Sequence, residues 1–426
     1  MNAWKRVLLA LVVSVATLEL GSWLGFWYLD GRRFTFSALA EERSEVLAHL
    51  LPDATTVTRR TPHAPDRMLH PYTGYVYLRE RARGRSESNY ELIDLPASLR
   101  KRSPDRVIVG VVGGSVAVHF TEKGSPELER LLKKVPAFAD KEFAFLPLCY
   151  GGFKQPQQLM TVSYLLARGG ELDILINLDG FNEVALPGPE NVERGVPSIY
   201  PRSWRALGSS LASSTQLRLM GDIHHQEQAR RARAEVFSAP VLGYSVTANL
   251  VWRAMDRRSS RALERANTAL REWNPDYGRL AVPDYADDPA FYDELVAIWS
   301  RSSRQLHILS RANDIEYFHF LQPNQYFEGS KPMAEEERRR AINPNHIYRP
   351  GVDHGYPRLR REGAKLAEGG VPFHDLSMAF QDHPEPFYVD TCCHFDLTGN
   401  ELIAAAVARE IIQRFGEGAT SGAAAP

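Results

Sequence analysis

Two short segments, far apart in the chain, carry the residue types of nucleophilic acyl chemistry. Gly113-Gly114-Ser115 follows the apolar run Val107-Ile-Val-Gly-Val-Val112, and Asp390-Thr-Cys-Cys-His394 stands just before Leu397-Thr-Gly-Asn-Glu-Leu-Ile403. A serine hydroxyl is a weak nucleophile until a base removes its proton. Histidine, with an ordinary pKa of about 6.5, can be that base at neutral pH and can later protonate a leaving group. An aspartate beside the ring fixes its tautomer and stabilises the imidazolium. Between them, Gly151-Gly-Phe-Lys154 and Gly180-Phe-Asn-Glu183 offer backbone N–H groups and a side-chain amide for an oxyanion. Taken singly, each piece is ordinary. Gly-x-Ser is a common turn, and a histidine ahead of a helix is most often a cap or a surface residue.

The elements that must position these residues alternate along the chain. Strands are expected at Arg106–Val112, Phe143–Leu148, Asp173–Leu178, Ile315–Leu321 and Val371–His374, and helices at Pro126–Val135, Pro156–Ala167 and Thr398–Phe415. The first three strands are continuous apolar runs, as in a parallel sheet covered on both faces. The alternation implies an α/β three-layer sandwich with a central, mostly parallel five-stranded sheet and right-handed crossovers. In such sheets the crevice outside the strand C-terminal ends is the functional one, and Ser115 falls there. Between about 185 and 313 the pattern gives way to long amphipathic helices, including Val246–Trp273 and Phe291–Ala312. They are expected to form a helical insertion within one catalytic domain spanning 105–415. Residues 34–104 read as a stalk with a helix at Ala38–Leu51 and a turn and strand at His70–Tyr77. Residues 416–426 read as a disordered, Gly/Ala-rich tail.

In this order and context the four segments resemble the blocks of the GDSL/SGNH hydrolase family, over about Arg106 to Phe415. The resemblance implies an SGNH-type (flavodoxin-like) fold and makes Ser115 the nucleophile and His394 the base. It gives the oxyanion hole as the N–H groups of Ser115 and Gly152, with Gly151 an alternative, and the side-chain amide of Asn182. Two departures stand out. Gly114 replaces the family's usual aspartate, and Asp390 lies four residues before His394 where the family has three. Asp390, Asp396 or a backbone carbonyl could orient the ring, with Asp390 favoured. Gly113-x-Ser115-x-Ala117 also approximates the nucleophile elbow of α/β-hydrolases, but that fold separates its acid and histidine by tens of residues.

The implied activity is a serine esterase on O-acyl groups, acetyl or short-chain, with envelope or extracellular carbohydrate as the substrate class. An O-acyltransferase and a catalytically degenerate glycan-binding module are the alternatives. No cofactor is called for, and no Cys-x-x-Cys or acid-rich cluster suggests a metal. Cys149, Cys392 and Cys393 are too few for a disulfide framework. They read as small buried residues, or as one bridge from Cys149 to either of the pair. A net charge of -1 over 426 residues gives no basis for nucleic-acid binding.

The N-terminus, 1–33, is distinct. Val7 to Leu29 is nearly all apolar, with Lys5-Arg6 before it and Asp30-Gly-Arg-Arg33 after it. A helix over that run would cross a hydrocarbon core of about 30 Å. Glu19 near its middle costs about 2.5–3.5 kcal/mol, which the surrounding Leu, Val, Trp and Phe can carry. An uncleaved membrane anchor is favoured over a signal peptide cut after Ser14-Val-Ala16. Either reading puts the body outside the cytoplasm, membrane-anchored or secreted.

Overall fold

The computed structural model describes residues 3–31, 34–49, 67–77, 101–194, 196–202, 204, 214–273 and 287–421. Most of the expected stalk between 50 and 100, and the last five residues of the expected tail, lie outside them. The chain divides into two compact units, Met1–Arg60 with Leu211–Pro275, and Thr61–Ser210 with Asp276–Pro426.

The larger unit is a three-layer α/β sandwich. A small antiparallel hairpin, β1 (Arg67–His70) and β2 (Gly74–Tyr77), precedes the main sheet. The sheet comprises β3 (Arg106–Gly113), β4 (Glu142–Pro147), β5 (Ile174–Asp179), β6 (Glu316–Leu321) and β7 (Phe373–Asp375). Its order is β4-β3-β5-β6-β7, and every pairing is parallel. Helices on both faces bury β3 and β5 almost end to end, which is why those strands read as unbroken apolar runs. The chain winds one way from β3 to β4 and the other way from β5 onward, so the order reverses between β3 and β5. In open α/β sheets the functional crevice lies at such a reversal, outside the strand C-terminal ends.

Gly113 ends β3 at φ 144, and a Cβ there would stand 2.1 Å from the Leu178 carbonyl oxygen. Only glycine lets β3 approach β5 so closely while the chain turns into the helix Ser115–His119. The helix Arg349–Glu368 was not anticipated, because Gly351, Gly355 and Pro357 interrupt its pattern. The two glycines are contact points rather than breaks. A Cβ on Gly351 would meet the Val184 carbonyl at 2.4 Å, and one on Gly355 the Val184 side chain at 2.4 Å. The helix thus seats directly on Phe181–Ala185, the turn after β5.

Two domain expectations are corrected. The insertion at about 185–313 is not one body within the catalytic domain. The helix Pro289–Arg311 packs Val296, Trp299 and Leu306 into the sheet core. The helices Ser214–Phe237 and Val246–Trp273 instead join the N-terminal helices Ala3–Asp30 and Phe36–His49, around Phe26, Leu39, Val46 and Trp252. Periodicity shows that a helix has an apolar face, not which partner covers it. The terminal helix runs Leu397–Ser421, so the expected tail is helical as far as Ser421. Within Ala3–Asp30, Trp4–Tyr28 is long and apolar enough to cross a membrane, and its apolar side chains are largely exposed.

A buried ion pair fixes the approach to the Asp390 segment. Lys331 Nζ lies 2.8 Å from Glu337 Oε2, with both side chains out of solvent. Glu337 Oε1 accepts from the N–H groups of Phe387 and Tyr388, each at 2.8 Å. Lys331→Met leaves that carboxylate buried without its cation and should lower stability by about 3–5 kcal/mol. Chemical denaturation measures this, and a loss no larger than that of an exposed pair would show the pair to be dispensable.

Candidate active site

Ser115, after β3, and Asp390 with His394, before the last helix, come together although 279 residues separate serine from histidine. Ser115 Oγ lies 2.6 Å from His394 Nε2, and His394 Nδ1 lies 2.5 Å from Asp390 Oδ2. The tautomer follows from the partners. An ionised carboxylate can only accept, so Nδ1 carries the hydrogen and Nε2 is left to accept from the Ser115 hydroxyl.

A tight turn joins Asp390 to His394. Asp390 Oδ1 accepts from the N–H groups of Cys392 at 2.9 Å, Cys393 at 3.2 Å and His394 at 3.3 Å. Asp396 is occupied elsewhere, accepting from Gly399 N at 3.1 Å at the start of the last helix. Burial opposes the charge on Asp390, but the His394 bond and charge and the backbone donors outweigh it and bring its pKa down to about 2. Burial likewise opposes an imidazolium at His394. The bond to Asp390 and nearby negative charge outweigh this, and His394 titrates above its ordinary value.

The second and third segments flank the serine. Asn182 sits in the turn after β5, and its Nδ2 donates to the Phe153 carbonyl at 2.7 Å, leaving its other N–H available. A Cβ on Gly114 would stand 2.0 Å from that nitrogen, so the lack of a side chain at Gly114 is what admits the Asn182 amide beside Ser115. Gly152 has φ 85. Among the described residues its N–H finds no acceptor. Gly151 abuts Ser115, where a Cβ would lie 3.9 Å from the serine Cβ. Ser115 opens its helix, so its own N–H has no partner within that helix. The segments after β3, β4 and β5 thus each keep a donor without an acceptor among the described residues: the N–H groups of Ser115 and Gly152 and one N–H of the Asn182 amide.

Several contributors were not legible in the sequence. Glu183 ties the second segment to the third. Its carboxylate accepts from Gly180 N at 2.8 Å, Gln155 N at 3.0 Å and Gln158 Nε2 at 2.9 Å. Burial and neighbouring Asp179 push its pKa up. Lys154 is buried and donates to the carbonyls of Ser198 and Tyr200, and burial pulls its pKa down to about 7. Tyr75 of β2 donates to the Gly151 carbonyl at 3.2 Å. Arg202, paired with Glu190 at 2.8 Å, lies over Gly152, where a Cβ would be 2.7 Å from its Cδ.

All three cysteines are free, so the expected bridge from Cys149 is absent. Cys149 rests against Thr121 Oγ1 at 3.9 Å, and burial raises its thiol to about 12. Cys392 and Cys393 lie with their sulfurs 3.1 Å apart, and the Cys393 thiol touches the Ser115 side chain. With His394 they offer three ligand atoms within 4.8 Å of one another. Both His394 nitrogens are already engaged, so a cation there would compete with Ser115 or Asp390.

The chain matches no known family model and no curated protein.

The raised pKa of His394 can be checked directly. An NMR titration should place His394 above 6.5, the ordinary imidazole value, and Asp390→Asn should lower it. An unchanged pKa in the variant would remove Asp390 as the ring's electrostatic partner.

Proposed function

We propose that this chain is a membrane-anchored serine esterase of the SGNH type, acting on acetyl or other short O-acyl groups. Carbohydrate outside the cytoplasm is the proposed substrate class. The relay from Asp390 through His394 to Ser115, at 2.5 and 2.6 Å, carries the reading. Its place at the sheet's order reversal supports it, as does the Asn182 amide beside the serine.

In the proposed cycle Ser115 Oγ attacks the ester carbonyl while His394 Nε2 takes its proton. The tetrahedral oxyanion is held by the N–H groups of Ser115 and Gly152 and by Asn182. Collapse expels the alcohol, which receives the proton from His394, and an acyl group remains on Ser115. Water, activated by the same nitrogen, then releases the acid and restores the serine. A sugar hydroxyl in place of that water would make the chain a transferase. Acetate release that falls when a glycan acceptor is added would identify that outcome.

A fluorophosphonate probe should label the wild-type chain on Ser115, and Ser115→Ala or His394→Ala should abolish labelling and ester turnover. Absence of labelling and of turnover across a series of acyl chain lengths would instead leave a glycan-binding module. Asn182→Ala should lower kcat about 10²–10³-fold, the usual cost of one oxyanion donor. Gly114→Ala should cost a similar factor by displacing the same amide, and the double variant little more, since both remove one interaction. Additive losses would mean that Gly114 acts through something other than Asn182.

A further inference from the structure

Glu19 lies inside the apolar helix Ala3–Asp30, and its partners come from the hairpin formed by the helices Ser214–Phe237 and Val246–Trp273. Its carboxylate accepts from Ser245 Oγ at 2.6 Å, Val246 N at 2.6 Å and Thr247 N at 3.4 Å. Val246 and Thr247 open their helix, so Glu19 supplies from a neighbouring helix the acceptor that their orphan N–H groups need. It also meets the positive end of that helix. Ser22 Oγ donates to Thr247 Oγ1 at 3.0 Å, and a Cβ on Gly25 would stand 2.9 Å from Leu250. These contacts advance in step, so Val246–Trp273 runs parallel to the apolar helix. The hairpin's connection, Ser238 to Ser245, therefore lies level with Glu19 and points toward the Trp4 end.

That end of the hairpin is built unlike a water-facing turn. From Val236 to Trp252 no residue is charged. Val241 is 85% and Tyr244 77% exposed, and Val236 and Val251 are exposed beside them. On the hairpin's own two helices, charges flank this stretch. Glu235 precedes the stretch and pairs with Arg231 at 3.0 Å, while Arg253 follows it and pairs with Glu42 of the helix Phe36–His49. Arg43 on that helix is the exception: its buried guanidinium donates to Asn249, lies over Trp252 and would stand 3.8 Å from a Cβ on Gly243, screened from the surface by the hairpin itself. Asp30 ends the apolar helix, and one turn beyond Arg253 stand Arg257 and Arg258.

From Arg253 to Ser245 is about 12 Å of helix, and from Tyr28 to Glu19 about 14 Å. One leaflet's share of the hydrocarbon core is about 15 Å. The two lengths agree with each other and fit within one leaflet.

We propose that the hairpin tip, Val236 to Trp252, is a second membrane element that enters a single leaflet beside the N-terminal helix. Arg253, Arg257 and Arg258 then stand at headgroup level. The occupant of this apolar surface is a lipid bilayer, since the surface is continuous with the side of a helix that is long enough to span one. Glu19 is then presented to hydrogen-bond donors of the hairpin and not to acyl chains. The inference rests on Trp4–Tyr28 being in the membrane, and the test separates the two claims.

Photoreactive benzophenone side chains would be placed one at a time at Leu11, Val241, Tyr244 and Glu264 in the full chain. The proteins would be reconstituted in vesicles of phosphatidylcholine and phosphatidylglycerol, irradiated, and read by the mass shift of one attached lipid. All four positions are exposed, and the Tyr244 ring also lies 5.9 Å from that of Phe36, a contact a benzophenone ring can keep. Lipid adducts are expected at positions 11, 241 and 244, and none at 264, about 27 Å along the helix from Val246. Adducts at 11 without adducts at 241 and 244 would overturn the proposal and keep the anchor. Cross-links from 241 or 244 to another protein chain would overturn it in favour of a protein interface. No adduct at 11 would remove the anchor and the proposal together.

Discussion

The site depends on one carboxylate used twice. Asp390 Oδ1 closes a turn by taking three successive N–H groups, and Asp390 Oδ2 holds the ring that the same turn presents. Opening the turn would strand those donors, so the imidazole and its acid are fixed relative to each other by four residues of backbone. The turn's carbonyls are satisfied from outside, mainly by the segment that follows β6. Gln325 Nε2 donates to the Asp390 carbonyl at 3.0 Å, Tyr326 Oη to that of Thr391 at 2.7 Å and Asn324 Nδ2 to that of Cys392 at 3.1 Å. Donors are used inward and acceptors outward, so the backbone groups of this half-buried loop find partners within the protein. The Lys331–Glu337 pair extends the support to Phe387 and Tyr388.

The same residue types occur a second time in the larger unit, and the contrast shows what chemistry requires beyond them. Asp179 Oδ1 lies 2.8 Å from His319 Nε2, and His319 Nδ1 lies 2.7 Å from Ser303 Oγ. Trp299 Nε1 donates to the same carboxylate oxygen at 2.7 Å. Here Nε2 carries the hydrogen, and Ser303 passes the chain on to Tyr317 Oη at 3.1 Å. All of these groups are buried in the sheet and its covering helix, with no solvent path to Ser303. This network joins β5 to β6 and cannot meet a substrate. Ser115 and His394 differ in lying at strand and loop ends, partly exposed, with unclaimed N–H groups beside them.

The sheet was legible because burial on both faces writes itself into a strand as an uninterrupted apolar run, as in Val107–Val112. Ser115, His394 and Asn182 were legible because each follows or precedes such an element. The acid for His394 was legible only as a preference for Asp390, which the structure bears out, since Asp390 and Asp396 differ only in which way the turn carries them. Glu183 and Lys154 were invisible for a related reason. Each acts through backbone groups of other segments, and a sequence does not display which N–H or carbonyl will be left over when two loops meet. Arg349–Glu368 was missed because a close helix contact and a helix break call for the same residue, glycine.

Glu19 and Asp390 show one physical rule in two settings. Each is a carboxylate whose charge is offset by N–H groups at the start of a turn or helix, with a hydroxyl or imidazole as the remaining donor. For Asp390 the result is an ionised acid that orients a base. For Glu19 the result bears on the N-terminal helix. The cost assigned to an acid at that depth assumes a carboxylate facing hydrocarbon, whereas this one faces Ser245, Val246 and Thr247. The helix then has two parts with different tasks. Val7 to Val15 exposes its apolar side chains throughout. Glu19 to Phe26 grips the hairpin, so an acid, a serine and Gly25 belong in a stretch that hydropathy alone would ask to be uniformly apolar.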